Sequence, residues 1–241
     1  MRNWFMEAGD VISESFQDLG QLFTTNPLTS IKQWSDTMVE NGQQMVITVL
    51  IVLAVLLLIA IIYMVVSKKV RWTASQLAIG AICIAIAFIL SYLRLFKMPQ
   101  GGSVTLASML PIMVFAYLYG FKKGLVVGIA YGLLQAIQDP WIVHPIQFML
   151  DYGVAFMALA LAGLFKKIVP GMIIAGIVRY LAHAVSGFVF FSEYAPEGQH
   201  VLIYSAAYNS FVFVDLAICI VVVLVPPVMK FIMDRKAKMS I

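Results

Sequence analysis

The sequence predicts an all-α membrane protein, in which a six-helix bundle follows an amphipathic segment and one additional transmembrane helix. Of the 241 residues, 62% are hydrophobic and only 12% are charged, and the mean hydropathy is +0.94. Soluble domains average about 45–50% apolar and about 25% charged residues. A soluble fold cannot bury that much apolar surface, which excludes a disordered chain, a disulfide-stapled secreted module and a conventional soluble enzyme. The alternating ten-residue segments of a transmembrane β-barrel do not occur.

Residues 1–44 form the first predicted segment, and they lack the basic start and continuous apolar core of a signal peptide. Their hydrophobic residues recur at near-helical spacing, with acids between them, at Trp4, Ile12, Phe16, Leu19 and Phe23. This pattern predicts an external amphipathic helix at the membrane interface or on the bundle. Residues 45–69 contain the additional transmembrane helix, since the run from Met45 to Val66 has Thr48 as its only clearly polar residue.

Residues 70–241 are predicted to form the main body. A helix needs about 20 apolar residues to cross a bilayer, and this part of the chain contains six such runs, of which the second and third are short. The predicted spans are Thr73–Leu95, Val104–Tyr119, Phe121–Ile137, Ile146–Phe165, Val169–Phe190 and Val201–Met229.

Two stripes of small residues are expected to mediate helix packing, because small side chains let neighbouring backbones approach closely. The first repeats every four residues and predicts packing inside the bundle; it consists of Gly120, Gly124, Gly128 and Gly132. The second is either internal packing or a docking face for another membrane subunit; it consists of Ala74, Ala78, Ala81 and Ala85.

The basic residues predict the orientation. Eleven of them fall on one side of the predicted spans: Lys68, Lys69, Arg71, Lys122, Lys123, Lys166, Lys167, Lys230, Arg235, Lys236 and Lys238. Only Arg2, Lys32, Arg94 and Lys97 fall on the other side. By the positive-inside rule the C-terminus is cytoplasmic and, with seven spans, the N-terminus is external. The net charge of +4 is therefore attributed to cytoplasmic loops beside a lipid bilayer, and no nucleic-acid partner is expected.

Several polar side chains fall at a similar depth in the outer half of three predicted spans, where such groups are costly and mark functional candidates. These residues are Asp151, His183, Tyr204 and Asn209. Arg179 and Asp215 lie deeper and are expected to pair. Together with Trp141 and other aromatics of the external loops, a carboxylate at this depth suits an organic cation.

Motifs for other activities are missing from the sequence. It contains neither a P-loop nor His-Glu-x-x-His, and its three scattered histidines make a weak case for a metal. The run Ala184-Val-Ser186-Gly187 is similar to an intramembrane serine protease motif, but Ala184 replaces the first glycine of that motif. A membrane-embedded hydrolase and a structural or sensor protein are therefore weaker alternatives than a non-enzymatic binding subunit without a cofactor.

The order of motifs over about residues 70–230 resembles the thiamine-specific substrate-binding subunits of energy-coupling factor transporters. The matching stretches are Met98-Pro-Gln-Gly-Gly-Ser-Val-Thr-Leu-Ala-Ser-Met-Leu-Pro111, Gly132-Leu-Leu-Gln135, His144-Pro-Ile-Gln147, Leu150-Asp-Tyr152, Phe191-Ser-Glu-Tyr-Ala-Pro-Glu-Gly198 and Tyr204-Ser-Ala-Ala-Tyr-Asn209. The resemblance implies a six-helix fold that binds thiamine from outside and docks on a membrane scaffold subunit driven by two cytoplasmic ATPases. Another vitamin is the alternative ligand.

The resemblance also implies site residues. The ligand-binding set is Trp141, Asp151, Tyr152, His183, Gly187, Phe191, Tyr204 and Asn209. Aspartate stands here where glutamate is common in the family, and Phe191 stands where tryptophan is common. The first external loop, near Gly101–Ser103, is expected to be the lid of the site. The scaffold would meet the alanine stripe, Ala74, Ala78, Ala81 and Ala85.

Overall fold

The computed structural model describes residues 70–99 and 101–239. The predicted amphipathic segment, 1–44, and the additional helix, 45–69, lie outside these residues. The described residues form eight helices, a one-turn 3₁₀ helix at Ser192–Tyr194 and one two-stranded hairpin. The helices are α1 Ala74–Tyr92, α2 Leu110–Tyr119, α3 Phe121–Gln138, α4 Pro145–Leu164, α5 Ile168–Phe190, α6 Val201–Tyr208, α7 Phe211–Leu224 and α8 Pro226–Met239, and the strands are β1 Arg94–Lys97 and β2 Ser103–Thr105.

The fold is that of a multi-pass membrane protein. Within the described residues, four helical stretches are long and apolar enough to cross a bilayer: α1, α4, α5 and the stretch Val201–Leu224, which contains α6 and α7. The observed bounds of α3, α4 and α5 agree with the predicted spans to within one residue at each end. Helix α1 begins at a capping box, in which Thr73 Oγ1 accepts from Gln76 N (3.3 Å) and Gln76 Oε1 accepts from Thr73 N (3.2 Å).

The predicted span Val104–Tyr119 is wrong in its first third, and the predicted helix end at Leu95 is also wrong. The chain leaves α1 at Tyr92 and forms an antiparallel hairpin, with Arg94 opposite Thr105 and Lys97 opposite Ser103. Helix α2 begins only at Leu110. Hydropathy does not distinguish a buried strand from a helix, because both are rich in apolar residues.

Helix α2 lies at the centre of the bundle, although it has only 10 residues. It contacts α1, α3, α4, α5 and α8. The side chains of Ile112, Phe115 and Tyr117 are fully buried. The Tyr117 hydroxyl donates to the Lys166 carbonyl (3.1 Å), and Lys236 Nζ of α8 donates to the Tyr117 carbonyl (2.6 Å). The first bond holds α2 to the turn between α4 and α5, and the second holds the last helix to α2.

The glycine stripe packs α3 against α4, as predicted, at three of its four positions. A β-carbon on Gly128 would lie 2.6 Å from the carbonyl oxygen of Phe156, and one on Gly132 would overlap the carbonyl oxygen of Tyr152. A β-carbon on Gly124 would lie 2.6 Å from the β-carbon of Ala116 and 3.1 Å from that of Ala160. Gly120 is a correction to the prediction: it forms the turn between α2 and α3 at a φ of +92°, a conformation that favours glycine.

The predicted span Val201–Met229 is not one helix. It breaks after Tyr208, resumes at Phe211 and ends at Leu224, and a separate helix begins at Pro226. The end at Leu224 has a clear cause, because the residue before a proline is driven out of the helical region of backbone angles. Val225 accordingly has a ψ of 122°.

The alanine stripe of α1 faces outward. This helix buries only Gly80, Ala87 and Ser91, which lie on its opposite side. The stripe residues are all exposed on the described part of the chain: Ala74, Ala78, Ala81 and Ala85. The stripe therefore does not pack inside the described bundle, which was one of its two predicted roles.

Candidate functional site

A cavity lies between the hairpin and helices α3 to α7. The structure brings all eight sequence-predicted ligand-binding residues to its wall: Trp141, Asp151, Tyr152, His183, Gly187, Phe191, Tyr204 and Asn209. They come from the loop before α4, from α4, from α5 and its C-terminal end, and from the chain that runs through α6 to the helix break. The loop residues Gly101, Gly102 and Ser103 complete the wall from the hairpin side.

The Asp151 carboxylate lies at the centre of a hydrogen-bond network in this wall. Its Oδ1 is 2.8 Å from His183 Nδ1, and its Oδ2 accepts from Ser186 Oγ (2.8 Å) and Gln147 Nε2 (2.7 Å). The carboxylate is thus oriented by three side chains, and only 15% of its surface is exposed. Sequence reasoning did not single out Gln147 or Ser186 as partners of Asp151, although Gln147 is the fourth residue of the quoted motif His144-Pro-Ile-Gln147.

A π-helical turn allows two consecutive residues of α4 to line the same cavity. Residues Met149–Val154 are π-helical, between the α-helical residues Pro145–Phe148 and Ala155–Met157. Such turns are short insertions within α-helices and are common at functional sites. Asp151 and Tyr152 both lie in this turn, and both reach the cavity wall.

Tyr152 and Gln147 fix the loop that carries Trp141. The Tyr152 hydroxyl donates to the Asp139 carbonyl (3.0 Å) and accepts from Trp141 N (2.9 Å). Gln147 Nε2 also donates to the Trp141 carbonyl (2.9 Å). Trp141 therefore has both of its backbone groups bound to α4, and its indole is held beside the cavity.

Helix α5 presents two nitrogen groups to the cavity. His183 and Arg179 are four residues apart and lie on one helix face. Within the described residues, His183 Nε2 and Arg179 Nη1 are buried without a hydrogen-bond partner. The Arg179 guanidinium lies over the Phe156 ring, 4.2 Å from its centre. Because Asp151 occupies His183 Nδ1, Nε2 is the imidazole nitrogen left to contact a ligand.

The predicted ion pair between Arg179 and Asp215 does not form. Asp215 Oδ1 instead accepts from the backbone N (3.3 Å) and the hydroxyl (3.0 Å) of Thr105 in β2. No ion pair of Arg179 occurs among the described residues. The hairpin reaches into the bundle and supplies the partner of Asp215, which a prediction of two continuous spans could not anticipate.

Asn209 lies at the break between α6 and α7. Its Nδ2 donates to the Ser205 carbonyl (2.9 Å), which also accepts from the Asn209 backbone N (3.0 Å). Ser205 Oγ in turn donates to the Ala184 carbonyl of α5 (2.6 Å). Gly187 permits this contact between helices, because a β-carbon there would overlap Ser205 Oγ.

The cavity also has aromatic walls. The predicted aromatics are joined by side chains that the sequence analysis did not assign to the site: Tyr131, Phe156, Tyr208 and Phe211. The rings of Tyr208 and Phe211 meet edge to face across the helix break, with their centres 6.3 Å apart. Phe156 and Phe211 lie in apolar runs, so hydropathy gives no signal that separates them from other core residues.

His144 starts the helix that carries Asp151. Its Nδ1 accepts from Ile146 N (3.1 Å), and its ring stacks on Phe190 at 5.0 Å. Burial lowers the pKa of His144, which favours the neutral ring whose Nδ1 can accept this bond.

The charged side chains of the wall favour a cation. Two arginines and three aspartates line the cavity, so one formal negative charge remains when all of them are ionised: Arg94, Arg179, Asp139, Asp151 and Asp215. A carboxylate held among aromatic rings attracts an organic cation, because ring faces carry partial negative charge. The geometry therefore suits a flat, positively charged ligand.

Comparison with known proteins agrees with this chemistry. Residues 77–233 match the family model described as thiamine transporter protein (Thia_YuaJ). The thiamine transporter ThiT of Bacillus subtilis is 36% identical over an alignment of 158 residues, and the match covers 56% of this chain and 82% of that protein. The thiamine transporter ThiT of Lacticaseibacillus paracasei is 30% identical over an alignment of 122 residues, and the match covers 42% of this chain and 61% of that protein.

A solved structure shares the fold. The structure of ThiT from Listeria monocytogenes superposes with a TM-score of 0.53 at 27% identity, over 61% of this chain and 90% of that one. The family match covers more than half of the 241 residues, and it is a family of transporters rather than of enzymes. The chain belongs to the thiamine transporter protein family.

Proposed function

We propose that this chain is the high-affinity thiamine-binding subunit of an ATP-driven vitamin uptake transporter, and that it captures thiamine from outside the cell. The observation that carries the proposal is the Asp151 carboxylate, held by three side chains in an aromatic-walled cavity of a thiamine transporter family member. Thiamine carries a permanent positive charge on its thiazolium ring and has an aminopyrimidine ring with polar edges. The cavity offers a counterpart to each of these features.

Each predicted site residue has a role in this proposal. Asp151 balances the thiazolium charge, and the rings of Trp141, Tyr152, Phe191 and Tyr204 stack on the two rings of the ligand. His183 Nε2 and the Asn209 amide form hydrogen bonds with its polar edges, which offsets their loss of hydration. Gly187 contributes indirectly, because it lets α6, which ends next to Asn209, approach α5.

We also infer the partners. The sequence has no P-loop, so ATP hydrolysis would be supplied by two cytoplasmic ATPase subunits acting through a membrane scaffold subunit. The exposed alanine stripe of α1 supports a scaffold contact, because small outward-facing residues allow a helix of another subunit to approach closely. The orientation that the positive-inside rule predicts has the N-terminus outside the cell and the C-terminus in the cytoplasm.

The proposal is tested by identifying the ligand. Protein purified from cells grown with thiamine is expected to release stoichiometric thiamine on denaturation, measured by mass spectrometry. An Asp151→Asn variant purified in parallel should carry much less. If a different vitamin is released, that vitamin rather than thiamine is the ligand. A protein that neither carries nor rebinds thiamine would contradict the proposal.

Residues 1–69 are expected to be dispensable for binding, because every proposed site residue lies in residues 70–241 and the run Met45–Val66 offers no polar group suited to a site. A chain beginning at Lys69 should insert into the membrane and bind thiamine with the affinity of the full chain, measured by calorimetry. If this chain inserts correctly but binds more than about tenfold more weakly, the removed segment belongs to the site or to its lid.

A further inference from the structure

The hairpin closes one side of the cavity through its loop. The tip is packed tightly on two aromatic residues. A β-carbon on Gly101 would lie 3.1 Å from Trp141 Cβ, and one on Gly102 would lie 2.6 Å from the Phe211 ring. Gly101 also has a φ of +92°, which favours glycine. A ligand in the cavity cannot leave on this side unless the loop moves away from both rings.

The first attachment of the hairpin is buried. Thr105 of β2 donates to Asp215 Oδ1 of α7 through its backbone N (3.3 Å) and through its hydroxyl (3.0 Å). Thr105 Oγ1 also accepts from the backbone N of Ser108 (3.3 Å). All three residues are at most 5% exposed. We call this set, Thr105, Ser108 and Asp215, the inner attachment.

The second attachment is partly exposed. Asp139 ends α3, and its carboxylate lies 2.7 Å from Arg94 Nη1 and 3.2 Å from Lys97 Nζ, both in β1. The side chains of Arg94, Asp139 and Lys97 are 25%, 34% and 53% exposed. We call these two ion pairs the outer attachment. The Asp139 carbonyl accepts from the Tyr152 hydroxyl, so the outer attachment joins the hairpin to the loop that carries Trp141.

The two attachments differ in strength and in sensitivity to salt. A hydrogen bond to a buried carboxylate is costly to break, because the charge would be left without a partner. Partly exposed ion pairs are weak and are screened by salt. Opening of the hairpin should therefore break the outer attachment while the inner attachment holds.

We propose that Asp139 is a positioning residue that controls ligand release: its ion pairs with Arg94 and Lys97 hold the hairpin closed, and the hairpin opens by moving about the inner attachment. The inference rests on the proposed function, because it takes thiamine as the ligand. Asp139 lines the cavity, but its proposed role is exerted through the hairpin. Its effect falls on the rate at which thiamine leaves.

The first test measures release of radiolabelled thiamine from the full-length protein after addition of excess unlabelled thiamine. Asp139→Asn is expected to release it about three to ten times faster, because two ion pairs are lost. Asp234→Asn on α8 is the matched control and should release thiamine at the wild-type rate. Raising the salt from about 0.01 M to about 1 M shortens the screening length from about 30 Å to about 3 Å, and should accelerate release from the wild type more than from Asp139→Asn.

A charge reversal separates the ion pair from any direct effect of Asp139 on the ligand. The background is Lys97→Gln, in which only the contact between residues 94 and 139 remains. Arg94→Asp alone and Asp139→Arg alone should each accelerate release, and the two changes together should restore it to within about twofold of the background. If the combination is no slower than either single change, the ion pair does not control release and the proposal is overturned.

Amide hydrogen exchange of ligand-free protein gives a readout that does not depend on thiamine. Asp139→Asn should increase exchange in residues 94–98, while exchange around Thr105 stays slow. Unchanged exchange in 94–98, or equal acceleration at both ends of the hairpin, would overturn the proposed opening motion. Failure of the wild type to bind thiamine would instead contradict the proposed function, and the exchange result would still decide whether Asp139 holds the hairpin.

Discussion

Replacing Ala78 and Ala81 together by tryptophan is expected to abolish thiamine uptake by cells that supply the scaffold and the ATPases. Both alanines are exposed on α1, and neither lines the cavity. An indole in place of a methyl group prevents close approach of a partner helix. Thiamine binding by the isolated subunit should remain unchanged, because α1 packs on the body through its opposite face, at Gly80, Ala87 and Ser91.

The control for this experiment is a second double-tryptophan variant, Ile173→Trp with Ile177→Trp, on α5. Neither isoleucine lies on α1 or lines the cavity. Both are exposed, at 40% and 38%. This variant should support uptake. Persistent uptake by the alanine double variant would contradict docking at the stripe, and loss of binding together with uptake would mean that the stripe supports the fold of the subunit.

Replacing Asp151 by asparagine is expected to weaken thiamine binding at least tenfold. The change keeps the shape of the side chain but removes its charge, and charge-assisted contacts contribute about 1.5–3 kcal/mol, or about 10- to 150-fold in affinity. The structure adds a second reason. An amide NH₂ at Oδ2 would face the Gln147 Nε2 donor, and one at Oδ1 would face His183 Nδ1.

The affinity of this variant can be measured by quenching of tryptophan fluorescence, because Trp141 lines the cavity. Ser186→Ala is the matched control: it removes one donor to the same carboxylate but leaves the charge, so its effect should be clearly smaller. Equal affinity of Asp151→Asn and wild type would show that Asp151 is not the charge complement of thiamine.

Much of the cavity could be predicted because depth in a membrane can be estimated from sequence. Once the basic residues give an orientation, the position of Asp151, His183 or Asn209 along its span gives its distance from the membrane surface. The three side chains then fall in one layer, and the structure brings them to one cavity. The rotation of each helix was not needed for that estimate, since polar groups in a membrane face the protein interior.

The details that escaped prediction are those in which backbone geometry departs from a continuous α-helix. The strand Ser103–Thr105 runs directly into the apolar residues of the helix predicted there, and hydropathy does not show which segment a strand pairs with. The π-helical turn at Met149–Val154 leaves no mark in composition. The pairing of Asp215 with Thr105, rather than with Arg179, follows from the hairpin and could not be found without it.

The shortness of α2 has a consequence for how a membrane protein makes room for a solute. Ten residues of helix extend about 15 Å, roughly half of a hydrocarbon core of about 30 Å. The residues that precede α2, among them Thr105 and Ser108, line the cavity. The binding chamber therefore occupies the volume that a full-length span would have filled. A homologue in which α2 extended by two or three turns toward Thr105 would have a solid transmembrane bundle with no room for the vitamin.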